Sequence, residues 1–156
     1  MVNIMFVCHG NICRSPMAEF VMKDLVKKKG MELSFNICSS ATSMEEIGSG
    51  VHYGTRDKLK KYGITTEGKY SVQFNADDYE KYDYIVAMDG RNISNIYRIL
   101  GGENYEKVSK LLDFTDRKGD IADPWYTGNF DETYNDIYEG SEALIKYIIK
   151  NDADKL

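Results

Sequence analysis

The sequence predicts an α/β fold of three layers, in which an open sheet of four parallel strands carries helices on both faces. Four short apolar runs are typical of buried strands, and they cover residues 2–7, 34–39, 84–88 and 108–112. Segments with the periodicity of amphipathic helices stand between these runs. This alternation of strand and helix favours a parallel sheet.

The predicted helices are bounded by residues that commonly cap helix ends. Ser15 is predicted to cap the first helix, with Pro16 at its first position and Gly30 after its end. The other predicted elements are a helix over 55–62 that stops at Gly63, a helical turn over 77–82 capped by Asn75, a helix over 91–100 capped by Asp89, and a final helix near 130–150. Residues 41–54 and 113–129 are predicted to be loops.

Length and composition indicate a single domain over residues 1–156. A content of 42% hydrophobic and 29% charged residues is typical of a soluble protein with a buried core. The net charge of −5 gives no indication of a nucleic-acid partner or an anionic membrane surface. No apolar run is long enough to span a bilayer, and no basic segment of a signal peptide precedes the first one.

The three cysteines favour a reducing compartment, because an odd count without a secretory signal argues against a disulfide framework. We therefore expect a cytoplasmic protein, with export without a signal peptide as the alternative.

Residues 8–15, with the sequence C-H-G-N-I-C-R-S, carry most of the functional information. They connect the first strand to the first helix, so backbone N–H groups and the helix dipole point at one spot and form an anion cradle. Those surroundings favour Cys8 as a thiolate nucleophile, the alternative being a buried structural cysteine. Arg14 would add a planar fork that pairs with two phosphoryl oxygens, the alternative being a surface cation.

Other residues of this loop suit the same chemistry. The Ser15 hydroxyl is expected to hydrogen-bond the Cys8 sulfur in addition to capping the helix. Gly10 and Asn11 suit a backbone that leaves the ordinary dihedral regions, because glycine has no Cβ and asparagine tolerates the left-handed region. The Asn11 amide could also brace the loop.

Thiolate attack on a phosphate monoester also needs a group that protonates the leaving oxygen. The best candidate is Asp123 in the segment D-P-W-Y, where proline stiffens the turn and two aromatic side chains follow. The alternative is an ordinary Asp-Pro loop with its aromatic residues packed on the core. Cys8, Asp89 and residues 113–129 all follow strands, and ligands of parallel sheets bind beyond such carboxyl ends.

Together these motifs resemble the low-molecular-weight protein tyrosine phosphatases. The string C-x-G-N-x-C-R-S-P directly after the first strand and the late D-P-W-Y carry the resemblance, which covers nearly the whole chain. It implies an enzyme without metal or cofactor that acts on phosphotyrosine in proteins and on small aryl phosphates. We expect a monomer, the alternative being weak self-association through the cleft aromatics. Cys8 would form a phosphocysteine, Arg14 would bind the phosphoryl group, and Asp123 would serve as acid and then as base.

The resemblance also implies roles for neighbouring residues. The phosphoryl group would be held by the loop residues His9, Gly10, Asn11, Ile12, Cys13, Arg14 and Ser15. Cys13 could trap oxidised Cys8 in a reversible disulfide. Trp125 and Tyr126 would wall the substrate cleft.

We expect residues outside the loop of residues 8–15 to support it. Ser39 or Ser40 would support the loop through Asn11. Asp89 matches an acidic residue at the end of the third strand. Gly68 lies near a position where some relatives have a histidine that pairs with this acid, so we expect no such pair here.

Two further departures concern the cleft mouth. His9 replaces a common aliphatic or small residue and could line the mouth or lie exposed. Glu45 stands where many relatives have a tryptophan facing the cleft. With Glu46 it would make one wall acidic and disfavour acidic phosphopeptides.

Four alternative functions compete with this prediction. A thiol-dependent arsenate reductase is disfavoured, because residues 70–100 contain no cysteine. A protein-arginine phosphatase is disfavoured by the apolar Ile12, where that branch tends to have threonine. The remaining two are a silent phosphopeptide-binding module, against which intact Cys8 and Asp123 argue, and a redox sensor built on Cys8 and Cys13.

Overall fold

A four-stranded parallel sheet forms the centre of the computed structural model, which describes residues 1–156. The strands are β1 (Val2–Cys8), β2 (Phe35–Ala41), β3 (Tyr84–Ala87) and β4 (Val108–Lys110), in the order β2-β1-β3-β4. The helices are α1 (Arg14–Lys28), α2 (Tyr53–Lys60), α3 (Asp78–Lys81), α4 (Gly90–Leu100), α5 (Pro124–Thr127) and α6 (Phe130–Asn151). The predicted fold class is therefore confirmed.

Strand β1 lies at the centre of the sheet because its side chains are apolar on both faces. Ile4 and Phe6 belong to the larger core cluster, whereas Met5 and Val7 belong to a smaller one, as the alternation along a strand requires. Pairing of β1 with β2 runs in register from Val2 opposite Phe35 to Cys8 opposite Ala41. The carboxyl ends of these two strands therefore meet at one edge.

Helices cover both faces of the sheet. Helices α1, α2 and α6 pack together over the larger cluster, through side chains such as Met17, Leu59 and Ile145. Helices α3 and α4 cover the smaller cluster, through side chains such as Tyr79 and Ile96. None of the helices combines the length and apolar character needed to cross a membrane.

The prediction that Ser15 caps the first helix is wrong. Helix α1 begins at Arg14 with Cys13 at the N-cap position, and no side chain caps it. The Ser15 hydroxyl lies within the first turn and contacts Cys8 instead. An N-cap side chain would have occupied N–H groups at the helix start, and its absence leaves them available.

Several predicted boundaries also differ. Asn75 does not cap α3, because Asp77 holds the N-cap position and the Asn75 side-chain amide donates to the Gln73 carbonyl. Strand β4 ends at Lys110, and a 3₁₀ turn follows at Leu111–Phe114, which buries two leucines. Helix α2 begins at Tyr53 rather than at residue 55, and α5 interrupts the predicted loop 113–129.

Candidate active site

The Cys8 sulfur lies at the end of β1, where the loop of residues 8–15 curls over it. Cys8 is 3% exposed. The Asn11 N–H and the Ser15 N–H donate to the sulfur at 3.3 Å and 3.4 Å, and the Ser15 hydroxyl lies within hydrogen-bond distance of it at 3.0 Å. The sulfur is thus held at the base of the loop by two backbone N–H groups.

The remaining N–H groups of this loop make no hydrogen bond within the protein. They belong to His9, Gly10, Ile12, Cys13 and Arg14. Unpaired N–H groups at the start of a helix attract anions, because each carries a partial positive charge and the helix dipole adds to it. The loop can therefore receive an anion beside the sulfur.

Asn11 holds the shape of this loop. Its φ of 56° lies in the left-handed region, as the sequence predicts. Its side-chain amide donates to the Ser15 hydroxyl at 2.7 Å and to the Ser39 hydroxyl at 3.0 Å, and its carbonyl accepts the Val72 N–H at 3.2 Å. Of the two serines considered, Ser39 thus contacts Asn11, whereas the buried Ser40 hydroxyl has no partner.

Arg14 is buried and fixed by acceptors on two other segments. Nη1 donates to the Asp89 carboxylate at 2.6 Å and to the Ile121 carbonyl at 2.9 Å, and Nη2 lies 3.4 Å from the Asp123 carboxylate. Burial alone would lower the pKa of the guanidinium, but the Cys8 thiolate, Asp89 and Asp123 raise it. The side chain therefore stays charged beside Cys8, and Asp89 holds Arg14 without a histidine partner.

Asp123 lies at the N-cap position of α5. One carboxylate oxygen accepts the Trp125 N–H at 3.0 Å, and the other is the oxygen that faces Arg14. Pro124 occupies the first helical position, where its missing N–H is not needed. The carboxylate is thus held at the cleft with one oxygen unused by the helix.

The cleft over Cys8 has a volume of about 130 Å³, with an aromatic side and an acidic side. Trp125 and Tyr126 line one side and are 57% and 82% exposed. Glu45 and Glu46 line the other. The His9 imidazole lies at the mouth, 3.7 Å from the Glu45 carboxylate.

Cys13 also lines the cleft, but its thiol differs from that of Cys8. Burial, followed by the charges of the Cys8 thiolate and Asp123, raises the pKa of Cys13 to about 12. No backbone N–H or hydroxyl donates to its sulfur. Cys13 therefore remains a neutral thiol at neutral pH.

Sequence reasoning missed two side chains that support the site. The His52 ring stacks on Phe130 at 5.4 Å between centroids and meets the Trp125 ring at 5.5 Å. Glu19 accepts a hydrogen bond from Ser39 beneath the loop. No local pattern in the sequence indicates a role for His52. Glu19 is a carboxylate one turn after Ser15 in an otherwise buried stretch, and this placement could have indicated its role.

Comparison with known proteins agrees with this geometry. The family described as Low molecular weight phosphotyrosine protein phosphatase matches residues 3–154. A curated relative from Bacillus subtilis, Low molecular weight protein-tyrosine-phosphatase YfkJ, is 40% identical over 152 residues, which cover 96% of this chain and 97% of the relative.

Solved structures show the same fold. The YfkJ crystal structure superimposes with a TM-score of 0.93 at 39% identity, covering 96% of each chain. Vibrio vulnificus Wzb in complex with benzylphosphonate gives a TM-score of 0.81 at 26% identity, covering 94% of this chain and 98% of that one. The chain belongs to the low-molecular-weight phosphotyrosine protein phosphatase family.

Proposed function

We propose that this protein hydrolyses phosphotyrosine in proteins, and small aryl phosphates, through a phosphocysteine on Cys8. The observation that carries this proposal is the Cys8 sulfur, which receives hydrogen bonds inside a loop whose other N–H groups have no acceptor. A phosphoryl group seated on those N–H groups would lie directly above the nucleophile. Residues 1–156 would form one catalytic domain.

In the first step, the Cys8 thiolate attacks phosphorus and the bond to the phenolic oxygen breaks. Arg14 and the N–H groups of the loop bind the phosphoryl oxygens and stabilise their charge in the transition state. Asp89 and the Ile121 carbonyl occupy Nη1, which leaves for the phosphoryl group Nε and Nη2, whose only side-chain partner is Asp123 at 3.4 Å. The Asp123 carboxyl transfers a proton to the leaving phenolate.

In the second step, water attacks the phosphocysteine and the Cys8 thiolate leaves. Asp123, now a carboxylate, accepts the proton of that water, and inorganic phosphate is released. The Ser15 hydroxyl at 3.0 Å stabilises the departing thiolate by donating a hydrogen bond. Side chains and backbone N–H groups of the protein would thus bind the phosphoryl group, and Asp123 would transfer the proton in both steps.

The cleft favours an aromatic leaving group. Trp125 and Tyr126 stand beside Asp123, where they can flank a phenyl ring while the acid reaches its oxygen. The solved structure of the related Wzb is a complex with benzylphosphonate, a molecule that carries a phenyl ring and a phosphonate. Ile12 adds apolar surface to this cleft, which disfavours a guanidinium as the leaving group.

Hydrolysis of para-nitrophenyl phosphate and a phosphotyrosine peptide tests this proposal. Both should turn over between about pH 5 and 7 in the presence of a chelator. Cys8→Ser should abolish turnover, and Asp123→Ala should lower kcat by about 10²–10⁴-fold. A phosphoarginine peptide and arsenate, assayed alongside, test the two enzymatic alternatives.

Three outcomes would overturn the proposal. Activity that survives in Cys8→Ser would exclude the covalent intermediate. Faster turnover of phosphoarginine than of phosphotyrosine would favour the arginine phosphatase. Tight phosphopeptide binding without turnover would favour a binding module.

A further inference from the structure

His52 lies between the two segments that carry the proposed nucleophile and the proposed acid. Its backbone N–H donates to the Ile12 carbonyl of the loop at 2.8 Å. Its imidazole meets the Trp125 ring nearly at a right angle, with 5.5 Å between the centroids and 73° between the planes. The Trp125 N–H is in turn the donor that the Asp123 carboxylate accepts at 3.0 Å. His52 therefore contacts both segments, and the two proposed steps use neither contact.

The imidazole of His52 is held in place by contacts within α2 and with α6. His52 is the N-cap residue of α2, and its Nδ1 accepts the Gly54 N–H at 3.0 Å. Tyr53 and Phe130 stack on the ring, with 4.4 Å and 5.4 Å between the centroids. A ring that is fixed by a hydrogen bond and by two stacked neighbours gives Trp125 a firm surface to pack against.

The turn that carries Asp123 needs such a surface, because it has little support of its own. Helix α5, which follows Asp123, is a single turn of 4 residues. So short a helix is unstable alone, because ordering its backbone costs more than its few hydrogen bonds return. Pro124 is buried, but the three residues after it are exposed. Trp125 contacts no aromatic ring other than His52, so this contact sets how firmly the turn is held.

We propose that His52 is a positioning residue, whose ring holds Asp123 in place for proton transfer by packing against Trp125. The inference rests on the proposed function, because it takes Asp123 as the acid. Proton transfer requires the acid to lie within hydrogen-bond reach of the leaving oxygen, and a displacement of about 1 Å can slow a reaction about 10²-fold. Loss of the His52 ring should therefore matter most for substrates whose leaving group needs the proton.

Two substitutions separate the ring of His52 from its role as the N-cap of α2. His52→Asn removes the ring and keeps the cap, because asparagine is a strong N-cap residue whose side-chain oxygen can accept the Gly54 N–H. His52→Phe does the reverse, because phenylalanine has a ring but no acceptor. Tyr62→Ala is the matched control. Tyr62 stacks on Tyr134 of α6, as His52 stacks on Phe130 of α6, but it does not line the cleft.

The ratio of kcat/KM for two aryl phosphates tests the inference. Phenyl phosphate releases a basic phenolate that needs a proton, whereas dinitrophenyl phosphate releases an anion that leaves without one. His52→Asn should lower kcat/KM for phenyl phosphate about tenfold relative to kcat/KM for dinitrophenyl phosphate. Lost contacts between Trp125 and the substrate ring would affect both substrates alike, so the ratio isolates the acid. His52→Phe and Tyr62→Ala should leave the ratio unchanged.

Fluorescence anisotropy gives a readout that needs no turnover, because Trp125 is the only tryptophan of the chain. Time-resolved anisotropy should show more fast motion of Trp125 in His52→Asn than in the wild type, and no increase in His52→Phe or Tyr62→Ala. If the wild type failed to hydrolyse phosphate esters, the proposed function would fail, and this measurement would still test whether His52 holds Trp125.

Several results would contradict the inference. An unaltered ratio in His52→Asn, with or without a loss common to both substrates, would show that the ring does not act on Asp123. In the Asp123→Ala background the substitution should not change the ratio further, and a further change would show that the ring acts by another route. Unchanged motion of Trp125 would show that other contacts hold it. If His52→Asn did not fold, a selective loss on phenyl phosphate in His52→Phe would overturn the inference.

Discussion

Cys8 and Cys13 belong to one loop, yet the protein treats their sulfur atoms differently. Cys8 receives two backbone donors and one hydroxyl, whereas Cys13 receives none. Burial and the neighbouring Cys8 thiolate raise the pKa of Cys13 to about 12. Oxidation of Cys8 to an uncharged sulfenic acid would remove the thiolate charge that helps to raise the pKa of Cys13. A disulfide between Cys8 and Cys13 would therefore form only after Cys8 has become a sulfenic acid.

This contrast predicts selective alkylation at neutral pH. A thiol with a pKa of about 12 is almost wholly protonated at pH 7, so iodoacetamide should modify Cys8 well before Cys13. If the loop binds phosphate as proposed, inorganic phosphate should protect Cys8, because it would occupy the loop above the sulfur. Peptide mapping by mass spectrometry measures both rates, and modification of Cys13 as fast as Cys8 would refute the assignment.

Helices α2 and α6 meet closely behind the aromatic side of the cleft. A Cβ on Gly54, in the first turn of α2, would lie 2.2 Å from the Phe130 ring at the start of α6. The same ring stacks on His52, which in turn contacts Trp125. Gly54 therefore permits the packing that supports the cleft wall.

Gly54→Ala should consequently destabilise the fold and loosen the substrate site. Forcing the Phe130 ring aside should lower the free energy of unfolding by about 1–3 kcal/mol and raise KM for aryl phosphates more than it lowers kcat. Urea unfolding and steady-state kinetics measure the two effects. Gly90→Ala is the control, because a Cβ there meets nothing within 4 Å, and it should be neutral or slightly stabilising.

The elements differ in how well local sequence predicts them. The three longer strands were predicted from their apolar runs. Asp89 caps α4, as predicted, because its carboxylate accepts the Asn92 N–H. Strand β4 was predicted too long, since Leu111 and Leu112 are as apolar as a strand but are buried through a 3₁₀ turn.

Within the site, the anion-binding loop of residues 8–15 could be predicted because its residues are contiguous in the sequence. The contact of His52 with Trp125 could not be predicted, because it exists only in the folded arrangement, and for Glu19 the sequence marks the carboxylate but not its Ser39 partner. Ser15 illustrates the same limit. Its local context is that of an N-cap, but the nearby sulfur takes its hydroxyl.

At the scale of the whole molecule, Asp83 connects the first strand with the C-terminal turn. Its carboxylate accepts the Asn3 N–H at 2.8 Å and the Lys155 ammonium at 3.1 Å. Burial alone would raise the pKa of Asp83, but these donors hold it below its ordinary value of 3.8. Because the folded-state pKa is the lower one, the stabilisation is present above about pH 4 and is lost as the pH falls through the folded-state pKa.

Asp83→Asn should therefore destabilise the protein at pH 7 by about 1 kcal/mol and by less at pH 3. Urea unfolding at the two pH values measures the difference. Asp154→Asn removes an equal charge from an exposed position on the same terminal turn and should have little effect at either pH. An Asp83→Asn effect that is equal at pH 3 and pH 7 would show that the carboxylate charge is not responsible.

The whole fold brings a strand end, a helix start and a distant acidic turn to one point, and the central chemical consequence that we propose is a phosphocysteine. Rapid quenching of Asp123→Ala with para-nitrophenyl phosphate, followed by mass spectrometry, tests this most directly. Without the base, the intermediate should accumulate, and one phosphoryl group should appear on the peptide that contains Cys8. Its absence under turnover, or its presence on another residue, would contradict the account.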